Sequence, residues 1–69
     1  DDAVHFGSKV TILRADGRRQ VYRIVGEDEA DPARGTLSYV SPLAQALLGR
    51  RIGDEVKAGA STAEIEDIE

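Results

Sequence analysis

One segment of the chain carries the signals of a helix, and segments that resemble strands lie on both sides of it. Ser41 is a good N-cap because its hydroxyl can accept a hydrogen bond from a free backbone N–H of the first turn. Pro42, at the first helical position, has no N–H to leave unsatisfied, and Gly49 is a suitable terminator. A single helix over residues 42–48, not repeated after each strand, excludes a doubly wound parallel sheet. It predicts an α+β fold with one short helix packed on one face of a sheet.

Runs rich in β-branched residues predict the strands of this sheet. Residues 9–14 and 20–25 are joined through Asp16-Gly17, a dipeptide that accepts positive φ at both positions and predicts a tight hairpin. The second of these strands has apolar side chains on both faces and is expected to be central. We expect Ile52 to pack on the core. Further strands are predicted over residues 4–6, 36–40, 55–57 and 63–68, the last at a sheet edge, and residues 26–35 are predicted to form a surface loop.

Length and charge limit the functions that remain. The 69 residues suffice for one small core, and the absence of cysteine excludes disulfides and thiolate metal sites. A net charge of −4 argues against direct nucleic-acid binding, since phosphate neutralisation requires a basic surface. No stretch is long and apolar enough to span a bilayer, and no leader pattern precedes the chain, so we expect a soluble, unprocessed protein. Residues 35–53 contain no acidic residue, which favours this stretch as a face for a protein partner.

The residue patterns predict neither catalysis nor a bound cofactor or metal. The acidic run at residues 27–31 lacks the spacing of a calcium loop and is interpreted as solvated. His5 is the only histidine, and no acidic residue lies at a spacing that would make it a catalytic partner. We therefore expect His5 at the surface. No serine lies in a nucleophile elbow, and the glycines do not have phosphate-loop spacing.

The segment Tyr39-Val40-Ser41-Pro42-Leu43 is the remaining candidate for a site. It sets apolar residues beside a helix N-terminus, whose free N–H groups favour an acceptor or an anion. Two interpretations stay open at this point. These residues either cap and pack the helix and do nothing more, or they form a small binding surface of mixed polarity.

Three blocks of sequence, in order, resemble one known family. They are Val4-x-Phe6-Gly7-Ser8-x-Val10, the run Tyr22-Arg23-Ile24-Val25-Gly26-Glu27-Asp28-Glu29-Ala30-Asp31, and Ser38-x-x-Ser41-Pro42-Leu43-Ala44-x-Ala46-Leu47-Leu48-Gly49 followed by Gly53-Asp54-x-Val56. Together they are similar to the C-terminal domain of the bacterial transcript-cleavage factors GreA and GreB, across roughly Val4 to Ile68.

This resemblance implies an FKBP-like fold, a curved antiparallel sheet with one short helix against it. It also implies a non-catalytic, cytoplasmic domain that docks on bacterial RNA polymerase, at the tip of a coiled coil on the rim of the secondary channel. In the family a separate N-terminal coiled coil enters the channel and promotes cleavage of backtracked RNA. We expect residues 1–69 to form a single domain and that coiled coil to be absent from this chain. The acidic run at residues 27–31 does not correspond to the carboxylates at its tip.

Carried onto this sequence, the docking surface of the family centres on Ser41 and Pro42, with Val40, Leu43 and Gln45 beside them. Many relatives have Asp or Asn where this chain has Val40, so the hydrogen bonding of docking is expected to differ here. The alternatives are an FKBP-like prolyl isomerase, for which the chain has few aromatic residues, and the docking domain of an anti-cleavage Gre homologue or an Rnk-type regulator.

Overall fold

A five-stranded sheet and one short helix make up the fold in the computed structural model, which describes residues 3–69. Two single turns of 3-10 helix, Glu27–Glu29 and Pro32–Arg34, occupy the predicted loop. The strands are β1 (Lys9–Arg14), β2 (Arg19–Val25), β3 (Thr36–Ser38), β4 (Glu55–Ala58) and β5 (Ser61–Ile68), and the helix α1 is Pro42–Leu47. The predicted α+β class with one helix is confirmed.

The strands lie in the order β3-β2-β1-β5-β4. The expected antiparallel pairing holds for β1 with β2, β1 with β5 and β4 with β5, whereas β2 and β3 run parallel, so the sheet is mixed. The connection through the 3-10 turns and Gly35 returns the chain to the same end of the sheet and allows this parallel pair. The prediction that β2 is interior is confirmed, because β1 and β3 flank it.

The position of β5 differs from the prediction. It is an interior strand between β1 and β4, and β4 forms the edge. The alternation of carboxylates and apolar residues in β5 comes from one buried and one solvated face, a pattern that does not distinguish an edge strand from an interior strand of a half-exposed sheet. Its register with β1 shifts between Thr11 and Ile12. Glu66 is the extra residue at this bulge.

The hairpin between β1 and β2 forms at the predicted place with a different turn. Arg14 C=O accepts a hydrogen bond from Gly17 N–H at 2.9 Å, and within this connection only Gly17 has a positive φ, of 92°. This is a three-residue connection, in which a turn is followed by one left-handed residue. The Asp16 carboxylate accepts from the backbone N–H of Arg18 at 3.1 Å. That hydrogen bond, with the charge of the Arg18 guanidinium, lowers the pKa of Asp16.

The core lies between α1 and one face of the sheet, called here the inner face. Ala44 and Leu47 of the helix are fully buried, and Leu43 is half-buried against the same cluster. Ser8 is a fully buried polar residue whose hydroxyl accepts from His5 N–H at 3.0 Å, so its burial leaves no unpaired oxygen. The sheet contributes Val10, Ile12, Ile24, Leu37, Val56, Ala58, Ala63 and Ile65, and Val4 joins them from the N-terminal segment.

Three local predictions are wrong. Residues 4–6 do not form a strand, because the only ladder contact there is an isolated bridge between Ala3 and Arg51, and the chain then turns at Gly7. The strand predicted over 36–40 ends at Ser38, since Tyr39 and Val40 form a turn. Ile52 is 55% exposed, lies in the turn shortly before β4 and does not reach the core.

The one α-helix of the described residues has six residues. Nowhere in residues 3–69 does a helix have the length and hydropathy needed to cross a bilayer.

Candidate functional site

The turn that joins β3 to α1 is held by hydrogen bonds at both ends. Tyr39 N–H donates to Val25 C=O at 2.9 Å, which ties the turn to the end of β2. The Ser41 hydroxyl accepts from Ala44 N–H at 3.3 Å, so Ser41 is the N-cap and Pro42 starts the helix, as predicted. The side-chain amide of Gln45 reaches back to Tyr39 C=O at 2.7 Å. The backbone of this junction is therefore fixed at several points.

The five residues predicted for the site are adjacent at this junction but differ in exposure. Val40 is 48% exposed, and Pro42 and Gln45 are also exposed. Ser41 and Leu43 are half-buried, Ser41 because it caps the helix and Leu43 because it packs on the core. Two of the five residues thus stabilise the helix, and the other three present their side chains to solvent.

Phe6 extends this surface, and sequence reasoning missed it. Its ring lies edge to face against Tyr39, with centroids 5.8 Å apart and planes at 67°. Phe6 is 58% exposed and Tyr39 is 42% exposed. The signal for it in the sequence is the Phe6-Gly7 pair, a large apolar residue next to a turn glycine, although the β-prone run over residues 4–6 favours a strand. We call Phe6, Tyr39, Val40, Ser41, Pro42, Leu43 and Gln45 the junction surface.

Apolar residues of this size, exposed together beside a fixed turn, suit a protein partner. Aromatic side chains are enriched at the centre of interfaces, where they bury large areas at little entropic cost. Val40 gives the surface an aliphatic side chain where a hydrogen-bonding residue was expected from the resemblance, so the contact offered here is predominantly apolar.

No constellation for proton transfer or metal binding accompanies this surface. His5 is exposed, as predicted, and its Nδ1 lies 2.8 Å from Phe6 C=O. Residues 27–29 are all exposed on their 3-10 turn. Across residues 3–69, no group of three or more His, Cys, Asp or Glu side chains is arranged to hold a metal ion.

The solvent face of the sheet, called here the outer face, is divided by charge. Lys9 of β1 and Arg23 of β2 are directly opposite each other, and Arg23 is next to Thr36 of β3. With Arg34, they line a shallow depression of about 370 Å³ together with Val21 and Gly35. At the other side of the same face, Glu55 of β4 is directly opposite Glu64 of β5.

The aromatic residues do not form a pocket of the kind a prolyl isomerase needs. Phe6 and Tyr39 are at the surface, and Tyr22 packs against the core. The depression on the outer face contains no aromatic residue. A second one, of about 250 Å³, has none either and is lined by Leu13, Arg14, Ala15, Glu55, Thr62, Ala63 and Glu64. A twisted peptide bond would find no apolar enclosure in either depression.

Similarity to solved structures covers nearly the whole fold. The crystal structure of GreA factor homolog 1 (Gfh1) of Thermus thermophilus superposes on 97% of this chain with a TM-score of 0.88 at 27% identity, and the match covers 48% of that protein. The prokaryotic transcription elongation factor GreA/GreB from Nitrosomonas europaea gives a TM-score of 0.82 over 97% of this chain and 60% of that one. Its 22% identity supports the fold alone.

Sequence comparison identifies the family. A GreB transcription elongation factor of Neisseria meningitidis is 53% identical over 55 residues, which are 80% of this chain and 34% of that protein. A GreA factor of Desulfovibrio desulfuricans is 52% identical over 56 residues, 80% of this chain and 35% of that protein. The chain thus spans about a third of the length of these relatives. The family model described as the C-terminal part of the transcription elongation factors GreA/GreB matches residues 1–69. The chain belongs to this GreA/GreB family and corresponds to its C-terminal domain.

Proposed function

We propose that this domain docks a Gre-type elongation factor on bacterial RNA polymerase through the junction surface. The contact would lie at the coiled coil on the rim of the secondary channel. There it would hold the factor so that an N-terminal coiled coil can promote cleavage of backtracked RNA. The domain itself supplies binding and no catalytic group.

The exposure of Phe6, Tyr39 and Val40 beside the capped start of α1 carries this proposal. A junction whose backbone is fixed by Tyr39 N–H and by the Ser41 cap loses little conformational entropy on binding, since it is ordered beforehand. The membership of the chain in the GreA/GreB family supports RNA polymerase as the partner.

Binding to core RNA polymerase tests the proposal. Labelled wild-type domain should bind the purified bacterial enzyme, and Pro42→Arg should weaken the affinity at least about tenfold, equivalent to about 1.4 kcal/mol. Phe6→Ala should also weaken it, by an amount typical of an interface anchor, about 1–2 kcal/mol.

Ile52→Arg is the matched control. Ile52 is an apolar residue with an exposed fraction of 55%, close to the 58% of Phe6, and it lies outside the junction surface, beyond the C-terminal end of α1. Circular dichroism would verify that each variant folds. Failure of the wild-type domain to bind polymerase would refute the proposed function. Wild-type affinity in a folded Pro42→Arg variant would refute the assigned surface.

A further inference from the structure

Three cationic side chains line one depression on the outer face, and one of them, Arg23, contacts the segment that carries Phe6. Lys9 and Arg23 are cross-strand neighbours, and Arg34 reaches the same depression from the 3-10 turn before β3. We call these three residues the basic cluster. Like charges directly opposite each other in an antiparallel pair are destabilising, so the placement of Lys9 against Arg23 costs the fold some stability.

Two of the three cations, Lys9 and Arg34, are held only loosely by their intramolecular partners. Lys9 Nζ is 3.8 Å from a Glu69 carboxylate oxygen, and Arg34 Nε is 3.6 Å from an Asp31 oxygen. Both distances exceed those of a good charge-assisted hydrogen bond, and the Arg34 side chain is 86% exposed. These ammonium and guanidinium groups therefore keep donors for an external anion.

Arg23 joins the basic cluster to the junction surface. Its Nη1 donates to Gly7 C=O at 2.9 Å, and Gly7 directly follows Phe6. Thr36, beside Arg23 in the sheet, belongs to the same strand that leads into Tyr39. A partner that covers the Phe6–Tyr39 pair would therefore bring its own flank close to the guanidinium.

From this continuity and from the charge, we infer that the basic cluster is a second part of the docking surface. It takes carboxylates of the protein element that covers the junction surface. The inference rests on the proposed function and adds to it the chemistry of the partner: apolar side chains facing Phe6 and Tyr39, flanked by Asp or Glu facing Lys9, Arg23 and Arg34.

Charge segregation on the outer face gives this contact an orientation. The directly opposed Glu55 and Glu64 lie at the far side of the sheet and would repel an acidic partner. The net charge of −4 adds a general repulsion of acidic partners, so attraction depends on local groups of cations such as the basic cluster. Rim charges of this kind act on the association rate and on its salt dependence more than on the dissociation rate.

Association kinetics with core RNA polymerase test the inference, with Arg23→Glu and Arg34→Glu as variants and Lys57→Glu as control. All three make the same change of charge on exposed side chains, but Lys57 lies on β4, at the acidic side. At low salt we expect each cluster variant to slow association on the order of tenfold relative to Lys57→Glu. The difference should shrink as salt is raised. Arg34→Gln, which removes the charge of a side chain that is 86% exposed, should show a smaller slowing of the same kind.

The possible outcomes separate the inference from the proposed function. Equal rates and equal salt dependence for Arg23→Glu, Arg34→Glu and Lys57→Glu would overturn the inference, and the proposed function would stand if Pro42→Arg remained defective. Absence of binding by the wild-type domain would overturn both. A single-stranded RNA oligomer that shifts the amide resonances of Arg23 and Thr36 would assign the cluster to phosphates and overturn the assignment to a protein partner.

Discussion

Phe6 and Tyr39 stack edge to face at the surface, although one precedes β1 and the other follows β3. The contact connects the N-terminal turn to the start of the helix. Edge-to-face pairs contribute about 0.5–1.5 kcal/mol beyond the area they bury. A double-mutant cycle with Phe6→Ala and Tyr39→Ala, measured by urea denaturation, should give a coupling free energy in this range. Additive losses of stability would mean that the two rings do not interact in solution.

The Ser41 cap should be measurable on its own. Ser41→Ala removes the oxygen that accepts from Ala44 N–H and should cost about 1 kcal/mol of unfolding free energy. Ser41→Asp retains an acceptor at this position and should recover most of the loss. Both are read from chemical denaturation curves. Equal stability of the alanine and aspartate variants would contradict the cap.

Leu47 and Ile52 are a pair of large aliphatic residues with opposite environments. Leu47 is fully buried and Ile52 is 55% exposed. Leu47→Ala should lower the unfolding free energy by about 2–5 kcal/mol, through lost transfer energy and a cavity. Ile52→Ala should change it by less than about 0.5 kcal/mol. A large loss at Ile52 would show that this side chain packs on the core in solution.

Gly35 is held in a conformation that other residues rarely adopt. Its φ is 89°, and a Cβ there would lie 3.2 Å from Val21 C=O. Gly35→Ala should therefore destabilise the domain by about 1–2 kcal/mol. Gly26→Ala is the control, since Gly26 has a φ of −70° and free space around its Cα. It should leave stability unchanged or raise it by about 0.4–1 kcal/mol. Thermal unfolding of the two variants side by side provides the comparison.

Asp16 gives the hairpin a pH dependence. The hydrogen bond from Arg18 N–H lowers the pKa of Asp16 below its ordinary value of 3.8, so the folded state binds this proton less tightly than the unfolded state. The contribution to stability is complete above that value and disappears as pH falls through the lowered pKa. An NMR titration should locate the Asp16 carboxyl below 3.8. Asp16→Ala should remove this increment from the acid limb of the stability profile.

The helix and the β1–β2 hairpin were predictable because local chemistry determines them. Ser41, Pro42 and Gly49 mark the limits of α1 through the hydrogen bonds and backbone angles that only such residues satisfy, and they do so in any tertiary context. Gly17 marks the hairpin for the same reason. The turn type itself escaped, because Asp16 keeps a negative φ and the connection has three residues.

The neighbours of each strand were not predictable from such signals. The interior place of β5 and the parallel pairing of β3 are set by which surfaces bury the most apolar area, a property of the whole chain. The strand predicted around Phe6 does not form for a related reason. The residues of segment 4–6 suit a strand. However, the hydrogen bonds from Gly7 N–H to Ile24 C=O and from Ser8 N–H to His5 C=O bend the backbone before β1 begins.

The interior place of β5 also bears on how the domain is made. β1 is synthesised before β5, and the neighbour on its second side is complete only when Ile68 has been added. Until then β3, β2 and β1 can pair, but β1 remains an unpaired edge strand. The sheet is therefore expected to close only after Ile68 has been synthesised, and a nascent chain stalled before β5 would expose Val10 and Ile12 to chaperones.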